Sequence, residues 1–314
     1  MRPKVIVVLG PTATGKSELG LLLAKAFGGE IVNADSMQVY KLMDIGTAKP
    51  PPHVRKEVPH HMIDLVFPDE PFSAGQYKTL GRKAIEEILS RGHVPLVVGG
   101  TGLYIRALLE GLIEGLKGNE GIRKALYEEA KKIGNLGLWK RLAEIDPEAA
   151  RRIHPHDLYR IVRALEIYES TRIPPSQLRQ AHGFRERPYE TLKIGLFKPR
   201  EELYRRIEER VDEMIKQGLV DEVKGLLEKG YGPELNSMKA IGYREIIRYL
   251  MGEIGLEGAI RLIKLHTRHF AKRQMTWFKK DPEVQWVRYP DEVDRIFELV
   301  KGFLGDRDVR GKGT

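Results

Sequence analysis

Residues Lys4 to Leu9 (KVIVVL) are apolar without alternation, as in a strand covered on both faces of a parallel sheet. Ser17 to Phe27 changes to a helical period and stops at Gly28 and Gly29. Glu30 to Asn33 predicts a second strand, running into Asp35. Ser73-Ala-Gly-Gln76 has capping-box spacing and opens a helix to about Leu89. His93 to Val98 (HVPLVV) predicts a third strand, followed by the Gly-rich turn GGTGLY. Strands alternating with helices imply an α/β fold with a doubly wound parallel sheet. From about Gly115 the pattern changes. Residues 119–182 are rich in helix formers, broken at Gly134, Pro147, Pro155 and Pro174–Pro175, and predict a helical subdomain. Thr191 to Phe197 (TLKIGLF) is strand-like again, and amphipathic helices run to about Lys280. The simplest organisation is a core over 1–114, a helical insertion over 115–190, the rest of the core over 191–285, and a final helix with a frayed polar tail over 286–314.

Composition narrows the setting. The chain has 314 residues, 41% hydrophobic and 31% charged, as expected of a globular protein. No apolar run approaches the roughly 20 residues of a membrane span. Met1 leads almost directly into the first strand with no signal-peptide pattern. There is no cysteine, which excludes disulfides, thiolate nucleophiles and cysteine-ligated zinc. These features set the expectation of a cytoplasmic protein. The net charge of +9 suits a polyanionic partner without requiring one.

Between the first strand and helix lies Gly10-Pro11-Thr12-Ala13-Thr14-Gly15-Lys16-Ser17, a full match to G-x-x-x-x-G-K-[ST] in the strand–loop–helix context the motif needs. Such a loop turns backbone N–H groups and a helix N-terminus towards phosphates; Lys16 adds a charge, and the Ser17 hydroxyl is placed to ligate Mg2+. The second acid that hydrolysing motors and switches carry at a strand end is missing: the third strand ends in LVVGG, and Asp64 of HHMID follows only two apolar residues. Group transfer from a phosphate-bearing donor is favoured over hydrolysis. Asp35, at the carboxyl edge of the second strand, is placed either to accept a proton or to cap a turn. Arg210 lies on the margin of an apolar stripe formed by Leu203, Ile207, Val211, Met214 and Ile215, so it either snorkels or meets a buried anion. Arg261, Lys264, Arg268 and Lys272 share one helical face, with no acid from Arg261 to Lys280, and are expected to contact a polyanion. His266 is expected to be packed.

Taken together, GPTATGKS, NADSMQVYKLMDIGTAKP, PHHMID, VVGGTGLYIRALLEGL, RIHPHDLYRIVRALEIYE, YRRIEERVDEMIKQGLVDEV, AIGYREI and TRHFAKRQMTWFKKD resemble the tRNA dimethylallyltransferase (isopentenyltransferase) family from Val5 to about Lys280. The resemblance implies transfer of a dimethylallyl group from dimethylallyl diphosphate to the N6 amine of the adenosine 3′-adjacent to the tRNA anticodon, with release of pyrophosphate. It implies that Asp35 is the general base, that Lys16 and Arg210 act on the leaving group, that the loop from Gly10 to Ser17 cradles the diphosphate, and that Mg2+ sits at Ser17. It places RNA contacts at Asp35, Ser36, Met37 and Gln38, at Thr101 and Arg123, and along Tyr159, Arg160, Ile161, Val162 and Arg163. Further contacts fall on Lys239, Ala240, Ile241, Gly242, Tyr243 and Arg244, and on Lys272, Arg273 and Gln274 in the segment to Lys279. The helical insertion would clasp the anticodon stem, and the protein would work as a monomer. Two positions depart from the family pattern, Tyr159 and Arg172, and neither touches the implied chemistry. A phosphate-loop kinase using ATP on a nucleoside or other small molecule remains the alternative enzyme, and an RNA-binding nucleotide switch the alternative without group transfer.

Overall fold

The computed structural model describes residues 2–113 and 118–305; the expected tail from Asp306 and the expected domain limit at residues 114 and 115 lie outside them. The first half comprises β1 (Lys4–Leu9), α1 (Lys16–Phe27), β2 (Gly29–Ala34), α2 (Pro52–Glu57), β3 (His60–His61), α3 (Ala74–Ser90), β4 (Val94–Gly99) and α4 (Gly102–Glu110). Helices α5 (Glu120–Ile145), α6 (Pro147–Arg152), α7 (Leu158–Thr171) and α8 (Pro175–His182) follow. The chain then resumes with β5 (Glu190–Phe197), α9 (Arg200–Lys216), α10 (Leu219–Glu228), α11 (Tyr243–Leu250), α12 (Leu256–Phe278), β6 (Val284–Arg288) and α13 (Val293–Leu304).

All strand pairings are parallel, in the order β3-β2-β4-β1-β5-β6. Alternate side chains of the central strands go to opposite faces. Val5, Val7 and Leu9 join a core with Ile85, Ile88, Leu108, Ile246 and Ile263. Ile6 and Val8 join a second core with Leu19, Leu23, Ile296 and Val300. Burial on both faces is why these strands read as continuous apolar runs. The doubly wound sheet expected from the sequence is therefore present. Two strands were not anticipated. β3 is two histidines, and β6 (VQWVR) puts Gln285 and Arg288 in solvent, so neither edge strand carries an apolar run.

The topology places the functional loops. The chain leaves β1 towards β2 on one side and leaves β4 to reach β5 on the other. β1 and β4 are neighbours, with Leu9 in register with Gly99, so the loops after them open a crevice at the carboxyl edge where the winding reverses.

The chain divides into two compact units, Met1–Leu109 with Arg187–Thr314, and Glu110–Glu186. The second has its own core of Leu126, Leu138, Leu142, Ile161, Val162 and Leu165. Gly134 has a φ of 75° and breaks α5 into two helical pieces. Pro147 and Pro175 stand at helix starts, where a missing N–H costs nothing. No helix among the described residues is long and apolar enough to cross a membrane.

Leu96, fully buried in β4, tests the sheet core. Leu96→Ala should cost about 2–5 kcal/mol in urea unfolding. A loss below about 1 kcal/mol would show that the strand repacks around the deletion.

Candidate active site

The loop after β1 is built for a bound anion. Gly10 has a φ of 140°, and a Cβ there would lie 2.5 Å from the Leu196 carbonyl oxygen on β5, so only glycine lets the chain turn here. Ala13 adopts a φ of 65° and Gly15 one of 98°, the alternating backbone that turns N–H groups to one side. The loop is latched internally. Thr14 Oγ1 donates to the Pro11 carbonyl at 2.9 Å, and Lys16 Nζ donates to the same oxygen at 2.6 Å. Ser17 is exposed in the first turn of α1.

Asp35 follows the last residue of β2. Its Oδ1 accepts the Met37 amide at 2.8 Å. The adjacent Ser36 amide donates to Thr101 Oγ1 at 3.0 Å, and the Thr101 amide donates to the Ala34 carbonyl at 3.0 Å. The Asp35 turn thus hangs from the turn after β4. Both sequence readings of Asp35 are compatible with this geometry: one oxygen caps the turn, and the other has no donor among the described residues. Tyr77 and Tyr104 stack with centroids 4.2 Å apart. Both hydroxyls are pushed above their ordinary range, first by burial and also by the Asp35 charge.

Arg210 reaches this region from α9, and its Nη1 donates to Thr12 Oγ1 at 3.3 Å. It does not snorkel. Burial opposes its charge and Asp35 favours it. Lys16 feels the same field. Burial, then the neighbouring Arg210, pull its ammonium down to about 7, against the pull of Asp35. The two cations border a cavity of about 820 Å3. Its walls are the phosphate loop, α9 through Arg206 and Glu209, and the segment Ala48, Lys49, Pro50, Pro51 and Val54.

That last wall was not found by reading the sequence for site residues. Asp44-Ile45-Gly46-Thr47-Ala48-Lys49-Pro50 is held by Glu222 of α10, whose carboxylate accepts the amides of Asp44, Ile45 and Gly46 at 2.9, 2.7 and 3.1 Å. Tyr243 donates its hydroxyl to Glu222 at 2.6 Å. Gly46 is required because a Cβ would meet the Tyr243 ring at 2.4 Å. The buried Lys49 ammonium bonds the Tyr40 carbonyl, Asp44 and Asp64 at 2.8, 2.5 and 2.6 Å. Asp64 also accepts from Arg55 at 2.6 Å, so the weak metal-acid candidate serves as an anchor. Motif membership was the available signal; the partners lie too far along the chain for a local pattern to show.

Not all of the residues implied as RNA contacts reach the surface of their unit. Gln38 is buried and donates to the Thr47 and Ala48 carbonyls. Tyr243 is buried on Glu222, whereas Lys239 is exposed and Ala240 and Ile241 are half-buried. Gly242 donates its amide to Glu245, which also receives Arg244 and His266, so His266 is packed. Within the helical unit, Ile161 and Val162 are core, whereas Tyr159 is 70% exposed and Arg160 is in solvent. Arg123 and Arg163 converge on the buried Glu166 at 3.0 and 2.9 Å.

The expected one-signed stripe on α12 is corrected by its partners. Lys264 pairs with Asp212 at 2.7 Å and Arg268 with Glu208 at 2.8 Å, both acids on α9, while Arg261 lies 3.8 Å from Glu257. For Lys264 and Arg268 the acids come from the helix packed against α12, and for Arg261 from the first turn of α12 itself. Lys272 and Arg273 remain exposed, and Arg273 lies over the Phe270 ring. Gln274 points inward: its Oε1 accepts the Thr12 amide and its Nε2 donates to the Gly100 carbonyl, each at 2.9 Å.

A phosphate loop, two partly buried cations and a carboxylate at one sheet edge place the protein in the phosphate-loop α/β class. The IPP transferase family model matches residues 38–281, and an isopentenyl transferase model matches residues 3–63. The chain is 57% identical over 301 residues to tRNA dimethylallyltransferase 2 of Geotalea uraniireducens, covering 96% of this chain and 97% of that one. It is 49% identical to tRNA dimethylallyltransferase of Geobacter sulfurreducens, covering 97% and 98%. The tRNA isopentenylpyrophosphate transferase of Bacillus halodurans superposes with a TM-score of 0.72 at 39% identity, covering 96% and 97%. A eukaryotic dimethylallyltransferase acting on tRNA superposes with a TM-score of 0.82 at 30% identity, covering 99% of this chain and 81% of that one. The chain belongs to the IPP transferase family.

The depressed Lys16 gives a signed pH effect. A diphosphate favours the ammonium, so binding should raise its pKa from about 7 and take up a proton. Pyrophosphate affinity should be greatest below pH 7 and weaken as pH rises through it. Lys16→Arg, charged throughout, should remove that share of the uptake in calorimetry across buffers of different ionisation enthalpy. Equal proton uptake by wild type and variant would show that Lys16 is already an ammonium in the free protein.

Proposed function

We propose that the protein transfers the dimethylallyl group of dimethylallyl diphosphate to N6 of the adenosine 3′-adjacent to the anticodon of tRNA, releasing pyrophosphate. The observation that carries this reading is the electrostatic grouping of Lys16, Arg210 and Asp35 at the phosphate loop. The N6 lone pair forms the new bond to C1 of the allyl group. The C1–O bond breaks, and its electron pair leaves on pyrophosphate. Lys16, Arg210 and the loop amides stabilise that growing charge from fixed positions. The free oxygen of Asp35 takes the N6 proton. The adenosine must leave the stack of the anticodon loop to reach it.

Mg2+ fits this site. Ser17 offers one hydroxyl at the cavity, and no cluster of three or more His, Cys, Asp or Glu among the described residues forms a metal cage. Mg2+ is commonly held by few protein groups together with substrate phosphate oxygens and water. When bound, it supplies positive charge to the diphosphate. Lys272, Arg273 and Lys239 on the core unit, and Tyr159, Arg160, Arg123 and Arg163 on the helical insertion, present exposed or partly exposed groups to tRNA. Tyr159 offers a ring on which a base stacks. We assign the working form as a monomer in the cytoplasm, with no membrane partner.

Incubation with tRNA and dimethylallyl diphosphate should add one dimethylallyl group to a single adenosine, read by mass spectrometry of the digested RNA. Asp35→Asn should retain tRNA binding and slow the single-turnover step by on the order of 10²–10⁴. A loss below about tenfold removes Asp35 as the base.

The pairing on α12 divides its cations. Lys272→Gln should flatten the log–log salt dependence of tRNA binding by about 0.7–0.9, as for one lost phosphate contact. Arg268→Gln, already neutralised by Glu208, should leave the slope nearly unchanged. Equal effects would mean that RNA displaces the ion pair.

A further inference from the structure

Gln274 is 7% exposed, and it spends its whole amide inside the protein. Its carbonyl end holds the Thr12 amide in the phosphate loop, 262 residues away in sequence. Its amino end holds the Gly100 carbonyl in the turn after β4, 174 residues away. These two loops flank the point where the sheet's winding reverses. Each carries one half of the proposed chemistry. Thr12 also receives Arg210 on its hydroxyl, so the Gln274 contact fixes the loop residue that meets the leaving-group arginine. Gly100 precedes Thr101, whose hydroxyl receives the Ser36 amide and whose own amide is bound to Ala34, the two residues flanking Asp35. One side chain therefore links the diphosphate end of the site to the base end.

We infer that Gln274 is a positioning residue that sets the separation between the diphosphate loop and the Asp35 turn, and so the distance over which the amine attacks the allylic carbon. This rests on the prenyl-transfer reading above. A consequence concerns the loop itself. The Thr12 N–H is engaged by Gln274, so the phosphates are met by the remaining loop amides. The role also separates Gln274 from its exposed neighbours Lys272 and Arg273 on α12, whose side chains point to solvent.

Chain geometry supplies a second way to disturb the same brace. A Cβ added at Gly100 would lie 2.2 Å from Gln274 Nε2 and would push the amide off the carbonyl. The test compares wild type, Gln274→Met, Gly100→Ala and the double variant. Single-turnover rates are measured with preformed enzyme–tRNA complex and saturating dimethylallyl diphosphate, alongside tRNA affinity and melting temperature. Displacement of reacting groups by about 1 Å costs on the order of 10²-fold. Each single variant should therefore slow transfer about 10- to 100-fold. Transfer tRNA affinity should stay within about twofold of wild type, since no RNA-facing group is altered. The double variant should be no slower than the slower single one, because both remove one link. Rates within about threefold of wild type, or independent multiplicative losses, overturn the inference. If Gln274→Met fails to fold, Gly100→Ala alone decides by the same rate criterion. A wild-type protein that prenylates no tRNA defeats the prenyl-transfer reading itself, an outcome separate from a variant that keeps the wild-type rate.

Discussion

Two partly buried cations around one carboxylate are the constraint on which the proposed site depends. Burial opposes the charge on both Lys16 and Arg210, and Lys16 is opposed further by Arg210 itself. Asp35 is the charge that favours them both. In the free protein this is an unfavourable arrangement, because ionised groups lose hydration without full pairing. It suits an anion with more than one negative charge, whose arrival supplies what the carboxylate supplies only in part. A diphosphate bound there relieves the repulsion between the cations. In the proposed transfer, a diphosphate leaving group, gaining charge as its carbon–oxygen bond breaks, would relieve it more. Interactions that strengthen along the reaction are the ones that accelerate it.

Such a field must be imposed by rigid surroundings, or the cations would swing out to water. The distribution of hydrogen bonds supplies that rigidity. Lys16 is tied to the Pro11 carbonyl, Arg210 to the Thr12 hydroxyl, and Thr14 is sealed beneath the loop. The wall from Asp44 to Pro50 is irregular backbone; three of its amides are accepted by one carboxylate, Glu222, that Tyr243 also engages, and the Ala48 and Lys49 amides bond back to the Ile45 and Asp44 carbonyls. Lys49 closes the far side of that loop with three acceptors. A loop so fully bonded keeps its shape without secondary structure of its own.

The legible part of this protein is the part written in consecutive residues. The phosphate loop is a contiguous motif between an apolar strand and a helix, so its position and the doubly wound class followed directly. Arg210 was visible as a misfit on an apolar stripe, because α9 has a regular period. What the local pattern cannot carry is the identity of a distant partner. Arg268 and Lys264 read as a free basic stripe because Glu208 and Asp212 lie 60 and 52 residues earlier. Glu222 and Gln274 reach their loops across 178 and 262 residues. The edge strands β3 and β6 were missed for a different reason: a strand with a neighbour on one side only is covered less completely, and β6 buries just Val284 and Val287, so neither reads as an apolar run.

The same lesson applies to charge. A net charge of +9 suggests a strongly attractive surface for RNA, yet much of the basic content is already answered within each unit. In the helical unit, Glu166 is completely buried and accepts from Arg123, Arg163 and the Asn119 amide. Those contacts hold its carboxyl below the usual range even though burial pushes the other way. The three ionised side chains together carry one positive charge, not two. In the proposed tRNA complex their value would be geometric: a buried anion holds two guanidinium groups in place, so less rotamer freedom would be lost on meeting phosphate. Tyr159, exposed on the same unit, would add contact area and no charge. Affinity built this way depends less on salt than a count of arginines suggests, because counterions are released only by cations that the protein has left unneutralised.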